Sequence, residues 1–365
     1  MAIETIEGVL CPQGELTGYV EALLKAAGAD APSAEAVARA VVDASARGVD
    51  THGVRLVPWY LQMVEGGTIN RQPNVTFTQK AAAVGHVDAD DGFGHRASFR
   101  AVEEGMRMAD DAGIAAITIA RSTHHGASGV YALAAARAGY AAIVVTHADP
   151  AVVPFGGTRP FYGTNPIAFA VPAPGEEPML LDMATSASPF NRVFLRRATG
   201  TPLPPEVARD ETGALTTDPW AARAVVPVGG AMFGYKGAGL AAMVDILCSA
   251  FTGMGHGFTL EPASRSNFQR PMRVGHFVLV LKPAIFQALS AFDARVGAFL
   301  ADLRAQPAEP GQRVMAPGDV EKAEAARRAR EGIPVDSTTW AALGEAAARY
   351  GRAVPPSRPT AGHAG

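Results

Sequence analysis

The chain has 365 residues, 48% of them hydrophobic and 18% charged, which is enough for one large domain or two to three smaller ones. A net charge of −3 gives no basic surface of the kind that binds nucleic acid. Cys11 and Cys248 are too few for a disulfide framework, and no metal-type spacing of cysteine and histidine occurs. The first residues lack the basic and apolar regions expected of a signal peptide, and no run of about 18 uninterrupted apolar residues occurs. We therefore expect a cytoplasmic protein without a membrane partner or a bound metal.

Helical patterns dominate the N-terminal part of the chain. The spacing of apolar residues predicts one helix over 14–28, a second over 33–47 and a third that continues to residue 66. We therefore predict an N-terminal helical module over residues 1–73.

Beyond residue 74, strand and helix patterns are mixed. Strands are predicted over 75–78, 83–89, 114–120, 141–146, 167–171, 179–182 and 274–281, and helices over 99–112, 130–138, 238–252, 283–304 and 319–331. A long loop over 149–166 is rich in proline and glycine, and a loop of that length in a compact domain is usually functional. The C-terminal residues 351–365 are predicted to form a flexible tail.

Residues 121–129 place His124 and His125 in a turn of small residues between a predicted strand and a predicted helix. Such a turn collects free backbone N–H groups and the positive end of a helix dipole, which suit a phosphate or a carboxylate. Histidine titrates near neutral pH and can transfer a proton. We expect cofactor docking beside acid–base chemistry here, with a plain polar turn as the alternative.

A second constellation, Thr51, His52 and Arg55, lies where the second predicted helix ends. The imidazole can give or take the proton that accompanies hydride transfer, and the guanidinium can hold a substrate carboxylate in a bidentate manner. Tyr60 follows about two helical turns later and is a candidate for the same pocket. The alternative is a helix-end histidine with a solvated arginine. The other histidines of the folded part have no partner at a useful spacing, so we interpret them as structural, namely His86, His95, His147, His256 and His276.

The sequence contains neither a strand–GxGxxG–helix unit nor a GxxxxGK[ST] loop, which excludes the Rossmann fingerprint and the P-loop. Backbone turns over 125–129, 182–186 and 234–237 remain as candidates for binding a nucleotide. Lys236 beside Gly237, in a predicted glycine-rich turn over 229–237, could neutralise a phosphate, and a plain loop is the alternative.

Taken together and in order, these motifs resemble the malate/L-lactate dehydrogenase family, whose members are NAD(P)-dependent oxidoreductases without a Rossmann fold. The matching stretches are 50–54, 122–126, 153–157, 162–166, 182–186, 216–219, 235–237, 316–319 and 332–334. They keep the order of the family and cover roughly residues 15–335, so the set is specific where a single motif is weak.

The resemblance implies an α/β (α+β) fold. A mixed or largely antiparallel sheet domain binds the cofactor beside an α-helical domain built from both chain ends. On this basis we assign residues 74–270 to the NAD(P)-binding sheet domain and 271–350 to a C-terminal part that packs with the helical module. The resemblance also implies a homodimer with its active site near the domain and subunit boundary.

By motif position, the resemblance implies catalytic roles for His52, Thr51 and His124, with either histidine as the proton-transferring group. It implies that Thr164 contacts substrate, beside Arg55 and Tyr60. The implied cofactor contacts, to NAD or NADP, are His124, His125, Gly126, Ala127, Ser128, Asp182, Met183, Ala184, Lys236, Gly237 and Arg313.

The chain departs from the family pattern at several positions. Many relatives have an arginine four residues after the first histidine, where this chain has Leu56 and carries Arg55 one residue earlier. One helical residue is about 100° of rotation, which moves the guanidinium to another face. Residues 189–191 replace a usual Ala-Arg-Gly, residues 232–234 are additional, and His125 stands where phenylalanine is common.

The favoured function is hydride transfer between a nicotinamide and C2 of a small 2-hydroxy or 2-oxo acid of the malate, lactate, ureidoglycolate or sulfolactate type. The first alternative is a reductase of cyclic imino acids such as piperideine- or pyrroline-2-carboxylate. The second, motivated by the departures, is an inactive relative that binds cofactor as a sensor.

Overall fold

The structure is a computed structural model that describes residues 7–260 and 268–360. Its helices, α1 to α11 in chain order, are Gln13–Ala26, Ala31–Ala46, Val57–Gly66, Gly94–Ala112, Gly129–Arg137, Phe190–Thr199, Gly230–Cys248, Pro283–Phe286, Leu289–Arg304, Asp319–Glu331 and Ser337–Arg349. Its strands, β1 to β13, are Gly8–Cys11, Thr76–Ala81, Val84–Asp88, Ile114–Ser122, Ala141–Thr146, Ile167–Val171, Met179–Met183, Ala208–Arg209, Leu215–Thr216, Ala224–Val225, Val274–Leu281, Ile333–Asp336 and Arg358–Pro359. Short 3₁₀ turns cover Asp50–His52, Val54–Leu56 and Gly257–Thr259.

Seven strands form the central sheet in the order β2-β3-β4-β11-β5-β6-β7. The β3–β4 pair is parallel, while β11 and its neighbours β4 and β5 are antiparallel, which confirms the predicted mixed sheet. Strand β11 lies at the centre of this sheet although it comes late in the chain. The predicted boundary at residue 270 is therefore wrong, because it separates the central strand from its own sheet.

The second part of the molecule is helical and is built from both chain ends. Strand β1 pairs antiparallel with β12 and β13, and one buried core joins side chains of α1, α2 and α3 to side chains of β12 and α11. The prediction of a flexible tail from residue 351 is wrong for Arg358–Pro359, because that strand is hydrogen-bonded to β1. Residues 361–365 lie outside the described part.

Helix α7 corrects another prediction. The segment predicted as a glycine-rich turn forms the first turns of this helix, which begins at Gly230. Gly237 fits because a Cβ there would lie 2.5 Å from the carbonyl oxygen of Val228, so tertiary packing selects glycine within the helix. By length and composition α7 could cross a membrane, a property that core helices of soluble proteins share. One face of it packs on β5 and β11 through Val244 and Cys248.

A buried ion-pair network joins the two chain ends. The guanidinium of Arg328 on α10 is fully buried and donates from Nη1 and Nη2 to the Oδ1 and Oδ2 of Asp50, at 2.6 and 2.9 Å. It also donates from Nη1 to the carbonyl oxygen of Ser45 at 2.6 Å and from Nε to the carboxylate of Glu324. Because Asp50 begins the turn that carries Thr51 and His52, helix α10 fixes the position of that turn.

Two stacked histidines lie in the core below the predicted His-His turn. The rings of His125 and His276 are 4.4 Å apart and 8° from parallel, and both side chains are fully buried. Their four ring nitrogens contact the hydroxyl groups of Ser98, Ser128, Thr146 and Ser122 at 2.7–2.9 Å. The interpretation of His276 as structural agrees with this packing.

We expect Arg328→Met to lower the free energy of unfolding by about 3–5 kcal/mol, because it leaves the carboxylates of Asp50 and Glu324 without their buried partner. Urea unfolding followed by circular dichroism measures the loss. The matched control is Arg349→Met, which removes an exposed pair with Glu65 and should cost under about 1 kcal/mol. Equal losses for the two variants would contradict the proposed importance of the buried network.

We expect stability to fall as the pH drops below about 6.5. Burial and neighbouring histidines lower the pKa of His95 and His125 well below the ordinary 6.5, and that of His276 to about 3. The unfolded chain therefore binds more protons below pH 6.5, so each histidine removes up to about 1.4 kcal/mol per pH unit. These histidines should not lower the free energy of unfolding above pH 6.5, and they should lower it steadily from pH 6.5 to pH 4.5. Urea midpoints that stay constant from pH 7 to 5 would rule this out.

Candidate active site

A cleft of about 670 Å³ lies between the helical part and the sheet. The structure brings most of the predicted site residues to its walls. These are Thr51, His52, His124, Gly126, Ala127, Ser128, Thr164, Asp182, Met183 and Ala184. The helical part supplies the first two residues, and the loops and strand ends of the sheet domain supply the others.

The His52 turn is held against helix α2 by a close backbone approach. A Cβ on Gly53 would lie 2.0 Å from the Oγ of Ser45, so only glycine fits, and that Oγ accepts the N–H of Val54 at 3.0 Å. The hydroxyl of Thr51 contacts the Nδ1 of His52 at 2.9 Å, which orients the ring. Burial lowers the pKa of His52 to about 4, so this imidazole is neutral at pH 7.

The hydrogen bonds of His124 determine where its proton lies. Its Nδ1 accepts the backbone N–H of Gly126 at 3.2 Å, so Nδ1 carries no proton. The hydroxyl of Tyr60, 2.7 Å from the same nitrogen, must then donate as well. Burial and the neighbouring His52 lower the pKa of His124 to about 3. At pH 7 His124 is therefore neutral, with its proton on Nε2.

The two imidazoles lie next to each other in the cleft. The ring centroids of His52 and His124 are 5.8 Å apart with the rings 21° from parallel, and the Trp59 ring packs edge-on against His124 with their centroids 5.5 Å apart. His124 offers an N–H donor. His52 can accept a proton, since the Thr51 hydroxyl can donate to Nδ1 or accept from it. A donor beside an acceptor is what proton exchange at a hydroxyl or carbonyl oxygen needs.

The turn after His124 is only partly open to an anion. The first N–H of α5, from Gly129, donates to the Oδ2 of Asp182 at 2.8 Å, and a Cβ on Gly129 would lie 2.7 Å from that oxygen. The N–H of Gly126 already bonds to His124. The prediction that this turn collects free N–H groups is therefore wrong for these two donors.

Several predicted site residues do not line the cleft. Tyr60 and His125 are fully buried behind it, where Tyr60 supports His124 and His125 stacks on His276. Arg55 is exposed, because the 3₁₀ geometry directs Leu56 into the cleft in its place. Of the predicted cofactor contacts, Lys236 and Arg313 are exposed outside the cleft, and Gly237 is buried against Val228.

The cleft also contains residues that sequence reasoning did not select. His147, interpreted as structural, lines the cleft and donates from Nε2 to the carbonyl oxygen of Gly255 at 2.9 Å. Asn191 lines it too, and its amide donates to the carbonyl oxygen of Thr51 at 3.3 Å. The departure of residues 189–191 from the family pattern was a signal for Asn191. Nothing in the spacing of the histidines singled out His147.

Comparison with known proteins identifies the relatives of this chain. The family model described as malate/L-lactate dehydrogenase matches residues 12–344. Ureidoglycolate dehydrogenase (NAD(+)) of Escherichia coli K12 is 32% identical over 317 residues, covering 87% of this chain and 89% of that protein. (2R)-3-Sulfolactate dehydrogenase (NADP(+)) of Chromohalobacter salexigens is 38% identical over 267 residues, covering 73% and 78%.

A solved structure extends the likeness to the whole fold. The crystal structure of Δ1-piperideine-2-carboxylate reductase from Pseudomonas syringae pv. tomato superimposes with a TM-score of 0.84 and 28% identity, covering 92% of this chain and 99% of that one. These matches confirm the resemblance that the ordered motifs indicated. The chain belongs to the malate/L-lactate dehydrogenase family.

Proposed function

We propose that this chain is an NAD(P)-dependent oxidoreductase that acts at C2 of a small 2-hydroxy or 2-oxo acid. The observation that carries the proposal is the pair of neutral imidazoles, His52 and His124, which two separate parts of the chain bring together in one cleft. The names of the relatives above, which specify NAD(+) or NADP(+), support the cofactor class.

The cleft fits a dinucleotide cofactor. Its volume of about 670 Å³ lies in the usual range for cofactor sites. Gly126, Ala127 and Ser128 line it without bulky side chains. Asp182, Met183 and Ala184 line it at the end of strand β7. We assign these residues to cofactor binding. When bound, the nicotinamide supplies or accepts the hydride at C2.

The hydrogen bonds favour separate roles for the two histidines. His124 carries its proton on Nε2 and donates a hydrogen bond to the substrate oxygen at C2. His52 takes the proton of the hydroxyl group during oxidation and returns it during reduction, while Thr51 orients its ring. Thr164, which also lines the cleft, is proposed as a substrate contact.

We expect His52→Gln to lower kcat by about 10²–10⁴-fold, because glutamine cannot exchange a proton near neutral pH. His124→Gln keeps a neutral N–H donor and should lose only about tenfold, as expected for one hydrogen bond. The absorbance change at 340 nm with NAD(H) and NADP(H) measures both variants on the best 2-oxo acid. A larger loss for His124→Gln would reverse the assigned roles.

The cyclic imino acid reductase remains a second candidate, because the superimposed reductase shares the fold over nearly its whole length. Reduction of a cyclic imine requires a proton donor for the imine nitrogen, and the proton donor proposed for the 2-oxo acid could serve there as well. Piperideine-2-carboxylate and pyrroline-2-carboxylate therefore belong in the assay. An inactive cofactor-binding relative would show NAD(H) or NADP(H) binding by calorimetry and no turnover with any substrate.

We also infer a cytoplasmic homodimer. Both cysteines are free and buried, as expected in a reducing compartment. One face of α7 exposes large apolar side chains, with Met232 at 72% and Ile246 at 55% exposed beside Met243 and Leu240. Exposed apolar patches of this kind mark protein interfaces, and most homo-oligomers are two-fold dimers.

We expect Ile246→Glu to shift the protein from dimer to monomer in sedimentation velocity, because it places a charge in the apolar face of α7. The matched control is Val354→Glu, which adds the same charge at a residue of similar exposure, 47%, outside this helix. A wild-type protein that sediments as a monomer at micromolar concentration would refute the dimer.

A further inference from the structure

The charges of the described cleft walls are unusual for a site that binds an acid. Arg47 is the one lysine or arginine on those walls. Its guanidinium is buried and already paired, with Nη2 2.9 Å from Glu177 and Nε 3.4 Å from Asp43. His52 and His124 are neutral at pH 7, since burial lowers the pKa of each to about 4 and about 3.

Carboxylates, in contrast, are present on the same walls. Asp182 and Glu321 both line the cleft, and Asp182 is open to solvent there. Among the described residues of the cleft walls, a second negative charge on a substrate would therefore find no unpaired cation. Removing an ionised group from water without an opposite charge is strongly unfavourable.

Apolar side chains line the cleft from both the helical part and α6. Leu56 and Trp59 come from the helical part, and the centroid of the Trp59 ring lies 5.5 Å from that of His124. Phe190 and Phe194 come from α6, with their rings 5.4 Å apart. The amide of Asn191 connects α6 to the His52 turn through the carbonyl oxygen of Thr51. The two apolar surfaces therefore belong to one site.

We propose that this site selects substrates with a single negative charge and an apolar branched or aromatic group on C3. Dianions such as oxaloacetate and 2-oxoglutarate are discriminated against. The inference rests on the proposed function and specifies its substrate class. The C1 carboxylate is common to all these acids and does not affect the comparison, so the side chain beyond C2 decides the preference. Leu56, Trp59, Phe190 and Phe194 are the specificity-determining residues.

The first test compares kcat/KM for phenylpyruvate and 4-methyl-2-oxopentanoate with kcat/KM for oxaloacetate and 2-oxoglutarate, with NADH and with NADPH. We expect the apolar acids to be at least tenfold better. Equal or better turnover of the dianions overturns this inference and leaves the proposed function intact. Absence of turnover with every acid and cyclic imine overturns both.

The second test places a cation at the apolar surface. Leu56→Arg should raise the ratio of kcat/KM for oxaloacetate to that for phenylpyruvate at least tenfold. The matched control, Leu56→Gln, is polar but uncharged, and should weaken phenylpyruvate turnover without improving oxaloacetate turnover. Circular dichroism and Tm establish that both variants fold. A folded Leu56→Arg protein with the wild-type ratio contradicts the inference, and the wild-type comparison decides it if this variant does not fold.

Discussion

The arrangement of the site depends on one buried guanidinium. Arg328 binds the carboxylate of Asp50 and the carbonyl oxygen of Ser45, so a helix from the C-terminal part fixes the turn that carries His52. Burying an arginine is costly unless its donors are paired, and here four hydrogen bonds join the guanidinium to Ser45, Asp50 and Glu324. The helical part therefore holds His52 rigidly opposite the sheet, although its two halves are distant in sequence.

The sheet domain positions His124 through hydrogen bonds to one nitrogen of its ring. His124 receives two donors on one nitrogen, from the backbone of Gly126 and from Tyr60 of the helical part. Its tautomer is thus a consequence of domain packing. Below it, the stacked pair of His125 and His276 satisfies four hydroxyl groups within the core. Neutral imidazoles serve as structural polar groups in one layer and as proposed reactive groups in the next, and burial keeps both kinds uncharged.

The sequence predicted much of the fold and brought together several residues that line the cleft, but it did not predict how deeply they are buried. The strands at Ala141–Thr146 and Val274–Leu281 follow from apolar runs between turns, whereas the central place of the second depends on pairing across more than a hundred residues. Arg55 and Leu56 differ by one step of rotation, and the 3₁₀ backbone decides which lines the cleft. Lys236 fits a motif, yet its helix directs it to solvent, because packing around Gly237 converts an expected turn into helix.

The central position of β11 has a consequence for folding during synthesis. Strands β4 and β5 each need β11 as their antiparallel neighbour, and that strand ends at Leu281. Until the ribosome has synthesised the chain to this point, the earlier strands can pair only as two separate groups, β2-β3-β4 and β5-β6-β7, each with an unpaired edge. Contacts of high sequence separation form slowly, and unpaired edges promote association of incomplete chains. Pairing of β11 with β4 and β5 therefore completes both halves of the sheet in a single step.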